Sequence, residues 1–434
     1  MDKLVSELPE AASSHDVSFG EAFSTFARIG VLSFGGPTAQ IALMHKIIVE
    51  EKEWLDEQHY LSALSFCMLL PGPEAMQLAT YVGWRLHGLK GGLAGGLLFV
   101  LPGAAVVLAL SIIYAYFGNV PLVDALFLGI KAAVLVIVIE ALLRIAMRAL
   151  NLPEHWIIAA VSFIAIFMLA VPFPLIILLA AVFGYFRAED RGQPQTLAVT
   201  PMETAKTVAA WLAIWFGPLL AIVGIFSRNH VLSQLSVFFS KLAMVTFGGA
   251  YAVLAYMAQD VVARYGWLDT GAMMDGLGLA ETTPGPLILV TEFVGFLSAF
   301  RHGGEPVLLQ GLLGAFVALW ATFAPCFLWI FAGAPYIAWI THQPRLRGAL
   351  TCITAAVVGV ILNLAIWFAL HVFFRDVALH QAGPLQLWTP TLSSVDWRVV
   401  GLSALSAYLL LGRQWSIAMT LALTSAGALA LHAI

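Results

Sequence analysis

LSFGGPTAQ (residues 32–40) recurs 213 positions later as VTFGGAYAV (residues 245–253). The same shift carries two further motifs onto second copies, Trp54-Leu55-Asp56 onto Trp267-Leu268-Asp269 and Pro71-Gly72-Pro73 onto Pro284-Gly285-Pro286. Further along the chain the shift becomes 223, which carries Pro102 onto Pro325. A constant offset of 213 residues that changes once, to 223 through an insertion of ten residues, indicates an internal duplication.

The composition is that of a protein surrounded by lipid. Of the 434 residues, 61% are hydrophobic and only 11% are charged, and the mean hydropathy is +0.90. These values exclude a water-soluble globular protein, which needs a larger charged surface. The cysteines, Cys67, Cys326 and Cys352, lie in apolar runs without close pairing, so neither disulfides nor a metal cluster is expected. We predict an integral membrane protein without a cofactor.

Apolar runs of about 17 to 25 residues are long enough to cross a bilayer as helices. The sequence contains thirteen candidates, which predicts an all-α polytopic membrane protein with broken helices. The predicted spans are residues 18–45, 58–84, 88–117, 121–149, 153–170, 173–187, 205–226, 230–258, 271–298, 305–333, 346–374, 397–412 and 415–433.

The duplication and the spans together predict the domain organisation. We expect a cytoplasmic N-terminal segment, a first repeat, a polar linker, a connecting transmembrane helix and a second repeat, at residues 1–17, 18–187, 188–204, 205–226 and 227–434. The unpaired connecting helix makes the second repeat enter the membrane from the opposite side, so the repeats are expected to be inverted. Basic loop residues, eleven on one side against six on the other, place the N-terminus inside.

The Pro-Gly-Pro elements predict helix breaks within the membrane. Each proline removes a backbone donor and clashes with the preceding turn, at a cost of about 3 kcal/mol inside a helix. Pro73 and Pro286 suit the first position of a restarted helix, whose free N–H groups and positive dipole end can hold an oxyanion. Hydrocarbon tolerates such breaks only around a cavity, and paired breaks are typical of transporter sites. The alternative is a pair of proline kinks used for packing.

The paired Phe-Gly-Gly motifs supply a second kind of break. Adjacent glycines let the backbone approach a ligand closely, although in membrane helices they also serve packing. A hydroxyl precedes each motif, and a cation five residues earlier either faces the site or reaches the headgroups. Two glutamines and a threonine lie near the breaks. The predicted substrate-binding residues are Arg28, Ser33, Gly35, Gly36, Gln40, Gly72, Pro73, Gln77, Lys241, Thr246, Gly248, Gly249, Thr283, Gly285 and Pro286.

With these duplicated motifs, the chain from about Phe23 to the last span resembles the bacterial chromate transporters in their long two-domain form. The resemblance implies export of chromate from the cytoplasm through the bacterial plasma (inner) membrane, which confers chromate resistance. Sulfate is a structurally similar oxyanion, and the resemblance suggests drive by the proton gradient. The expected partners are therefore the oxyanion, protons and the lipid bilayer. A homodimer is possible, and no nucleic acid is expected.

The two copies differ at the breaks, which suggests different roles. Leu287 stands where the first copy has Glu74, and Ala250 where it has Pro37. The charge of Glu74 is favoured by the helix dipole but would repel a bound dianion, so its protonation is a candidate coupling step. A capping carboxylate is the alternative role. The predicted coupling residues are Glu74, Glu281 and Glu292.

Other function classes are less well supported by the sequence. A channel or facilitator would share the anion site but need no coupling carboxylate, and a pH jump that moves no substrate would favour it. A membrane-embedded enzyme acting on a lipid or phosphate group is disfavoured, because no nucleotide loop, His-Glu-x-x-His pair or metal-spaced carboxylate cluster occurs. We therefore predict a secondary active transporter and not an enzyme.

Overall fold

The structure is a computed structural model that describes residues 17–118, 120–188, 201–247, 250–341, 343–383 and 385–433. The predicted N-terminal segment, except for its last residue, and most of the predicted linker lie outside the described residues. The described chain is predominantly α-helical, as the sequence predicts.

Seventeen α-helices follow one another along the described residues. They are α1 Phe19–Leu32, α2 Gly36–His45, α3 Glu57–Leu69, α4 Glu74–Phe117, α5 Pro121–Ala149, α6 Pro153–Phe167, α7 Phe173–Arg187, α8 Pro201–Ile225, α9 Val231–Met244, α10 Ala250–Gln259, α11 Thr270–Thr282, α12 Val290–His302, α13 Val307–Gly333, α14 Ile337–Thr341, α15 Pro344–Phe373, α16 Trp397–Ala407 and α17 Ile417–Ala433. Single π-helical turns extend α2, α10 and α16.

Five helices of the described chain are long and apolar enough to cross a membrane by themselves. They are Glu74–Phe117, Pro121–Ala149, Met202–Ile225, Val307–Tyr336 and Pro344–Phe373. Several shorter apolar helices of 10–17 residues accompany them. The protein is thus an all-α polytopic membrane protein, while the number of thirteen spans stays a prediction.

A β-hairpin between α15 and α16 departs from the sequence prediction. Strands β1 Val377–Ala382 and β2 Leu385–Pro390 pair antiparallel, with Leu379 opposite Trp388. The hairpin is largely exposed, and the amide N–H of Gln386 donates to the carbonyl of Met168 at 2.8 Å. Its strands, Val-Ala-Leu-His-Gln-Ala and Leu-Gln-Leu-Trp-Thr-Pro, are short and mix apolar with polar residues, so long apolar runs do not reveal them.

Asp396 fixes the start of α16 directly after the hairpin. Its carboxylate accepts hydrogen bonds from Arg398 at 2.8 Å and from Arg375 at 3.0 Å, and it caps the helix through the N–H of Arg398. The hydrogen bonds from Arg398, followed by those from Arg375, hold the pKa of Asp396 well below its usual range although burial opposes them. The carboxylate is therefore ionised throughout the neutral pH range.

We expect Asp396→Asn to destabilise this end of the molecule by about 1 kcal/mol, because two guanidinium groups lose their shared acceptor while both arginines remain largely hydrated. The thermal midpoint in detergent checks this, with exposed Asp376→Asn as the control. Because the folded pKa is lowered, the contribution is complete above the ordinary carboxyl pKa of about 4 and is lost only as the pH falls below that value. An equal midpoint for both variants at pH 7 would contradict the assignment.

The chain divides into two compact units, each of which contains segments of both repeats. The first unit consists of residues 1–111, 191–250 and 283–344, and the second of residues 112–190, 251–282 and 345–434. Both Pro-Gly-Pro elements therefore belong to the first unit.

Glycines bring the helices of the first unit into close contact. Helix α4 reverses at Gly88, where φ is +57°, so that its first three turns pack against the segment that follows. A Cβ added to Gly83 would lie 2.1 Å from the carbonyl oxygen of Gly91, and one added to Gly91 would lie 2.1 Å from that of Gly83. Such backbone contact is the usual reason for small residues between membrane helices.

The second unit uses the same device. A Cβ on Gly359 in α15 would lie 2.1 Å from the carbonyl oxygen of Ala159 in α6. A Cβ on Gly184 in α7 would lie 2.2 Å from the carbonyl oxygen of Gly348 in α15. Backbone packing therefore holds α6 and α7 against α15.

Candidate functional site

Each repeat has a helix break at its Pro-Gly-Pro element, as the sequence predicts. In the first repeat α3 ends at Leu69 and α4 begins at Glu74, with Gly72 between them at φ +128°. In the second repeat α11 ends at Thr282, and a short 3₁₀ turn, Leu287–Leu289, leads into α12. Gly285 lies in that gap at φ +90°, a conformation that L side chains rarely adopt.

The restarted helices begin one position after the prolines. The carbonyl of Pro73 accepts the N–H of Gln77 at 3.1 Å, which makes Pro73 the capping residue instead of the first helical residue. Pro286 caps the 3₁₀ turn in the same way, since its carbonyl accepts the N–H of Leu289 at 2.9 Å. A shift of one residue leaves the predicted free N–H groups at the helix start.

Each break is hydrogen-bonded to the other repeat. The N–H of Gly72 donates to the carbonyl of Thr246 at 2.8 Å, and the N–H of Gly285 donates to the carbonyl of Ser33 at 2.7 Å. Because the shift of 213 relates Gly72 to Gly285 and Ser33 to Thr246, the two bonds are the same contact made in both directions. A contact of this isologous kind is what a two-fold relation produces.

Two buried glutamines of the first repeat bind the carbonyls of the breaks. The amide nitrogen of Gln40 donates to the carbonyl of Gly285 at 2.7 Å, and that of Gln77 donates to the carbonyl of Pro71 at 2.8 Å. Both side-chain oxygens are buried and have no partner within the described residues. The second repeat has Val253 and Val290 at the equivalent positions, so the first repeat supplies the amides for both breaks.

We expect Gln40→Leu to destabilise the protein by about 1 to 3 kcal/mol, because the carbonyl of Gly285 would lose its buried donor. A lower thermal midpoint in detergent is the predicted result. The control is Gln58→Leu, at an exposed position in the first turn of α3. If both variants unfold at the wild-type temperature, Gln40 does not hold the second break.

The hydroxyls beside the Phe-Gly-Gly motifs donate hydrogen bonds to carbonyls of the helices that precede them. Ser33 Oγ donates to the carbonyl of Ile29 at 2.7 Å, and Thr246 Oγ1 donates to that of Leu242 at 2.6 Å. Gly35 and Gly36 have positive φ values of +85° and +78°, as the predicted break requires. The predicted glycines Gly248 and Gly249 lie outside the described residues.

A small cavity of the first unit joins the two breaks. Its volume open to a water molecule is about 10 Å³, room for roughly one water. A tetrahedral oxyanion is several times larger, so the cavity is closed to it in this structure. The lining comes from both Pro-Gly-Pro elements and from residues that flank the Phe-Gly-Gly motifs: Pro37, Gln40, Gly72, Pro73, Glu74, Ala75, Thr246, Ala250, Pro286, Leu287 and Ile288.

The start of α4, with unpaired backbone amides, lies at this cavity. The first intrahelical bond that reaches past the break uses the N–H of Gln77, so the N–H groups of Glu74, Ala75 and Met76 have no helical acceptor. Glu74 and Ala75 themselves line the cavity. Glu74 is half-buried and, among the described lining residues, carries the one titratable side chain.

The other predicted coupling residues lie elsewhere. Glu281, in the second unit, is buried and accepts a hydrogen bond from the Tyr251 hydroxyl at 2.9 Å. Glu292, in the first turn of α12, is 1% exposed, and its Oε2 has no hydrogen-bond partner within the described residues. Neither residue lines the cavity between the breaks.

The predicted cations and Thr283 are also outside the lining. Arg28 is more than half exposed and pairs with Glu51 at 3.3 Å, and Lys241 is exposed. Thr283 is buried just before the second break. In this structure the cavity therefore combines backbone amides, the Gln40 side chain and one carboxylate.

One residue that the sequence analysis did not single out holds the second break in place. A Cβ on Gly103 would lie 2.2 Å from the carbonyl oxygen of Pro284, so α4 and the break touch through their backbones. The shift of 223 relates Gly103 to Cys326, whose sulfur faces Gly72 in the first break. Because the motif Pro102-Gly103 repeats only as Pro325-Cys326, the proline was detectable and the role of its neighbour was not.

A larger cavity of about 350 Å³ lies in the second unit, beside the β-hairpin. Its lining contains neutral polar and aromatic side chains, including Gln259, Asn363, Trp367, His371 and Trp388. None of the predicted binding or coupling residues lines it. We therefore assign the candidate site to the small cavity, where the predicted residues Gln40, Gly72, Pro73, Glu74, Thr246 and Pro286 meet.

Comparison with known proteins now identifies the family. Residues 20–185 and 233–431 match the family model described as chromate transporter. The chain belongs to the chromate transporter family. It is accordingly a multi-pass membrane protein of a transporter family, and the two matched segments coincide closely with the predicted repeats.

Curated relatives agree with this assignment. The chain is 32% identical to a chromate transport protein of Cupriavidus metallidurans over 350 residues, 79% of this chain and 81% of that protein. It is 31% identical to a chromate transport protein of Pseudomonas aeruginosa over 353 residues, 80% of each chain. An uncharacterized transporter of Bacillus subtilis, YwrA, matches over 82% of its own length but only 33% of this chain, at 27% identity. No solved structure gives a significant match.

Proposed function

We propose that the protein exports chromate from the cytoplasm across the plasma membrane in a proton-coupled manner and thereby confers chromate resistance, with sulfate as a second substrate. The observation that carries the proposal is the convergence of both Pro-Gly-Pro breaks on one cavity lined by the start of α4. The names of the two closely matching relatives, both chromate transport proteins, support chromate as the substrate.

The oxyanion binds at the start of α4. The unpaired N–H groups of Glu74, Ala75 and Met76 and the positive end of the helical segment that precedes the reversal at Gly88 favour a dianion there. The N–H groups of Gly72 and Gly285 already bind carbonyls of the opposite repeat, so they position the break and do not coordinate the anion. The amides at the start of α4 therefore bind the anion, and those of Gly72 and Gly285 hold the two repeats together.

Glu74 links the anion to protons. An ionised carboxylate at the start of α4 occupies the same favourable potential as a bound dianion and repels it, whereas a protonated carboxyl can donate a hydrogen bond to the anion. Binding of the oxyanion and protonation of Glu74 therefore favour each other, so the anion and the proton cross together, and the inside-negative membrane potential, acting on the remaining negative charge, drives export. Leu287 at the equivalent position of the second repeat makes this coupling a property of one half-site.

The repeats are inverted and exchange access to the cavity. Support comes from the reciprocal bonds between the breaks, which a two-fold relation between the repeats would produce. The closed cavity of about 10 Å³ must expand toward one side to admit the anion. Arg28 and Lys241, exposed at equivalent positions of the two repeats, attract the anion toward the protein. A homodimer stays a prediction, which the mass of the purified protein in detergent would check.

The proposed function is tested by transport in reconstituted vesicles, with chromate and sulfate in competition and with or without a proton gradient. We expect chromate accumulation that depends on the gradient and that excess sulfate reduces. Vesicles without protein provide the background. If neither oxyanion moves, the substrate assignment fails, and chromate movement that ignores the gradient would favour an uncoupled facilitator.

A further inference from the structure

A charged cluster in the second unit has no part in the site described above. Lys131 Nζ lies 3.2 Å from Asp275 Oδ1, and the hydroxyl of Tyr114 donates to Asp275 Oδ2 at 2.7 Å. The Asp275 side chain is 6% exposed and that of Lys131 is 19% exposed. We name these three residues the Lys131 site.

The cluster lies within apolar helices. Lys131 is the eleventh residue of α5, roughly 15 Å along the axis from the start of a helix that qualifies as a membrane span. Ionisable residues at such depth are expensive and typically belong to ion or substrate pathways. The sequence analysis did not connect Asp275 with Lys131, because the two residues lie far apart in the chain.

The duplication shows that the fold does not need these charges. The shift of 223 relates Lys131 to Thr354, and the shift of 213 relates Asp275 to Ser62. Both equivalents are neutral, and the Thr354 hydroxyl donates only to its own helix, to the carbonyl of Leu350 at 2.8 Å. A helix pair that required an ion pair for packing would be expected to keep it in both copies.

The ion pair lies at the start of a helix. Asp275 Oδ1 faces the Lys131 ammonium at 3.2 Å. A Cβ added to Gly271, in the first turn of α11, would lie 3.6 Å from Lys131 Nζ, so the ammonium also lies beside this helix start. An ammonium and a phenol are donors that an oxyanion can bind.

We propose that the Lys131 site is a second oxyanion site, in which a tetrahedral dianion displaces the carboxylate of Asp275 from Lys131 while that carboxylate takes up a proton. The proposal rests on the proposed function for the choice of oxyanion. The carboxylate must be protonated because a buried charge that loses its partner is strongly unfavourable. The site therefore binds the anion and the proton together.

Further charged groups lie on the helices of the site. Asp124 is in the first turn of α5, the helix that carries Lys131. Asp269 caps α11 through the N–H of Ala272 at 2.8 Å and lies next to Gly271.

The test is calorimetric titration of inorganic sulfate into the purified, detergent-solubilised protein at pH 6, 7 and 8, in two buffers of different ionisation enthalpy, which counts protons. It is made in the Glu74→Gln background, so that the first cavity contributes no proton. We expect about one proton taken up per sulfate bound at the Lys131 site, and none when Asp275→Asn is added. Lys131→Met should reduce the number of bound sulfate ions by one, and Lys131→Arg should preserve it.

Tyr114→Phe separates a binding role from a structural one. Loss of the hydrogen bond to a charged carboxylate should move the pH midpoint of proton-linked sulfate binding upward by about one unit. A purely structural role would lower the thermal midpoint without moving this pH midpoint. Size-exclusion profiles establish that each variant is folded.

Equal proton counts with and without Asp275→Asn, or unchanged sulfate stoichiometry in Lys131→Met, would overturn the proposal. An absence of sulfate binding to the Glu74→Gln protein would overturn it as well. Chromate transport by the wild-type protein in vesicles is measured separately. If the wild type transports chromate while these results are negative, only the second site is refuted and the proposed function stands.

Discussion

Gly103→Ala is expected to reduce chromate transport at least about tenfold, because overpacking of this severity typically costs 1 to 3 kcal/mol or more. The added Cβ would lie 2.2 Å from the carbonyl oxygen of Pro284 and 2.7 Å from the Leu289 side chain. The first of these contacts is with backbone, so a rotamer change cannot relieve it. Helix α4 and the second break must separate, which displaces Pro286 from the cavity.

The control for this variant is Gly217→Ala in α8. Gly217 has an ordinary helical conformation, and an added Cβ would meet nothing within 4 Å. Alanine there is expected to leave transport unchanged, since it also favours the helix. Initial rates of chromate uptake into vesicles, normalised to the amount of reconstituted protein, distinguish the two. Wild-type rates for Gly103→Ala would mean that the second break does not shape the transport site.

Glu74→Gln is expected to lower by one the number of protons that the protein takes up for each anion it binds. While Glu74 titrates in the wild type, anion affinity should fall by about tenfold for each unit of rising pH. The neutral glutamine lacks this contribution, so the variant should bind and transport chromate better than the wild type at alkaline pH. Any remaining pH dependence belongs to other groups, of which Asp275 is the proposed one.

The measurement is chromate uptake into inverted vesicles across a series of pH values, with Glu203→Gln as the matched control. Glu203 is an exposed carboxylate in the first turn of α8 and should leave the pH profile unchanged. A Glu74→Gln protein whose transport is undiminished and follows the wild-type pH profile would remove Glu74 from the mechanism. A profile that loses one proton supports the coupling role.

The sequence predicted the helices and their breaks because both depend on local chemistry. Long apolar runs define the spans, and a proline such as Pro73 excludes a continuous helix wherever it occurs. The hairpin Val377–Pro390 was not predictable in the same way, because its two six-residue strands mix apolar with polar residues. It lies outside the long apolar runs that indicate membrane spans.

The meeting of the two breaks was predictable from the sequence, and the contacts that hold them together were less so. The duplication pointed to both breaks, and the structure brings them together around Glu74 and Gln40. No local pattern shows that the N–H of Gly72 is used by the carbonyl of Thr246, since that pairing depends on how the repeats meet. For the same reason the exposure of Arg28 and the partnership of Lys131 with Asp275 required coordinates.

The exchanged bonds of Gly72 and Gly285 make the halves of the polypeptide dependent on each other. Either half produced by itself would bring an amide and a carbonyl into the bilayer with no counterpart, and each such group costs several kcal/mol there. A chain severed between residues 188 and 204 should therefore yield active protein only when both fragments are synthesised in the same cell. Fragments made singly are expected to be degraded.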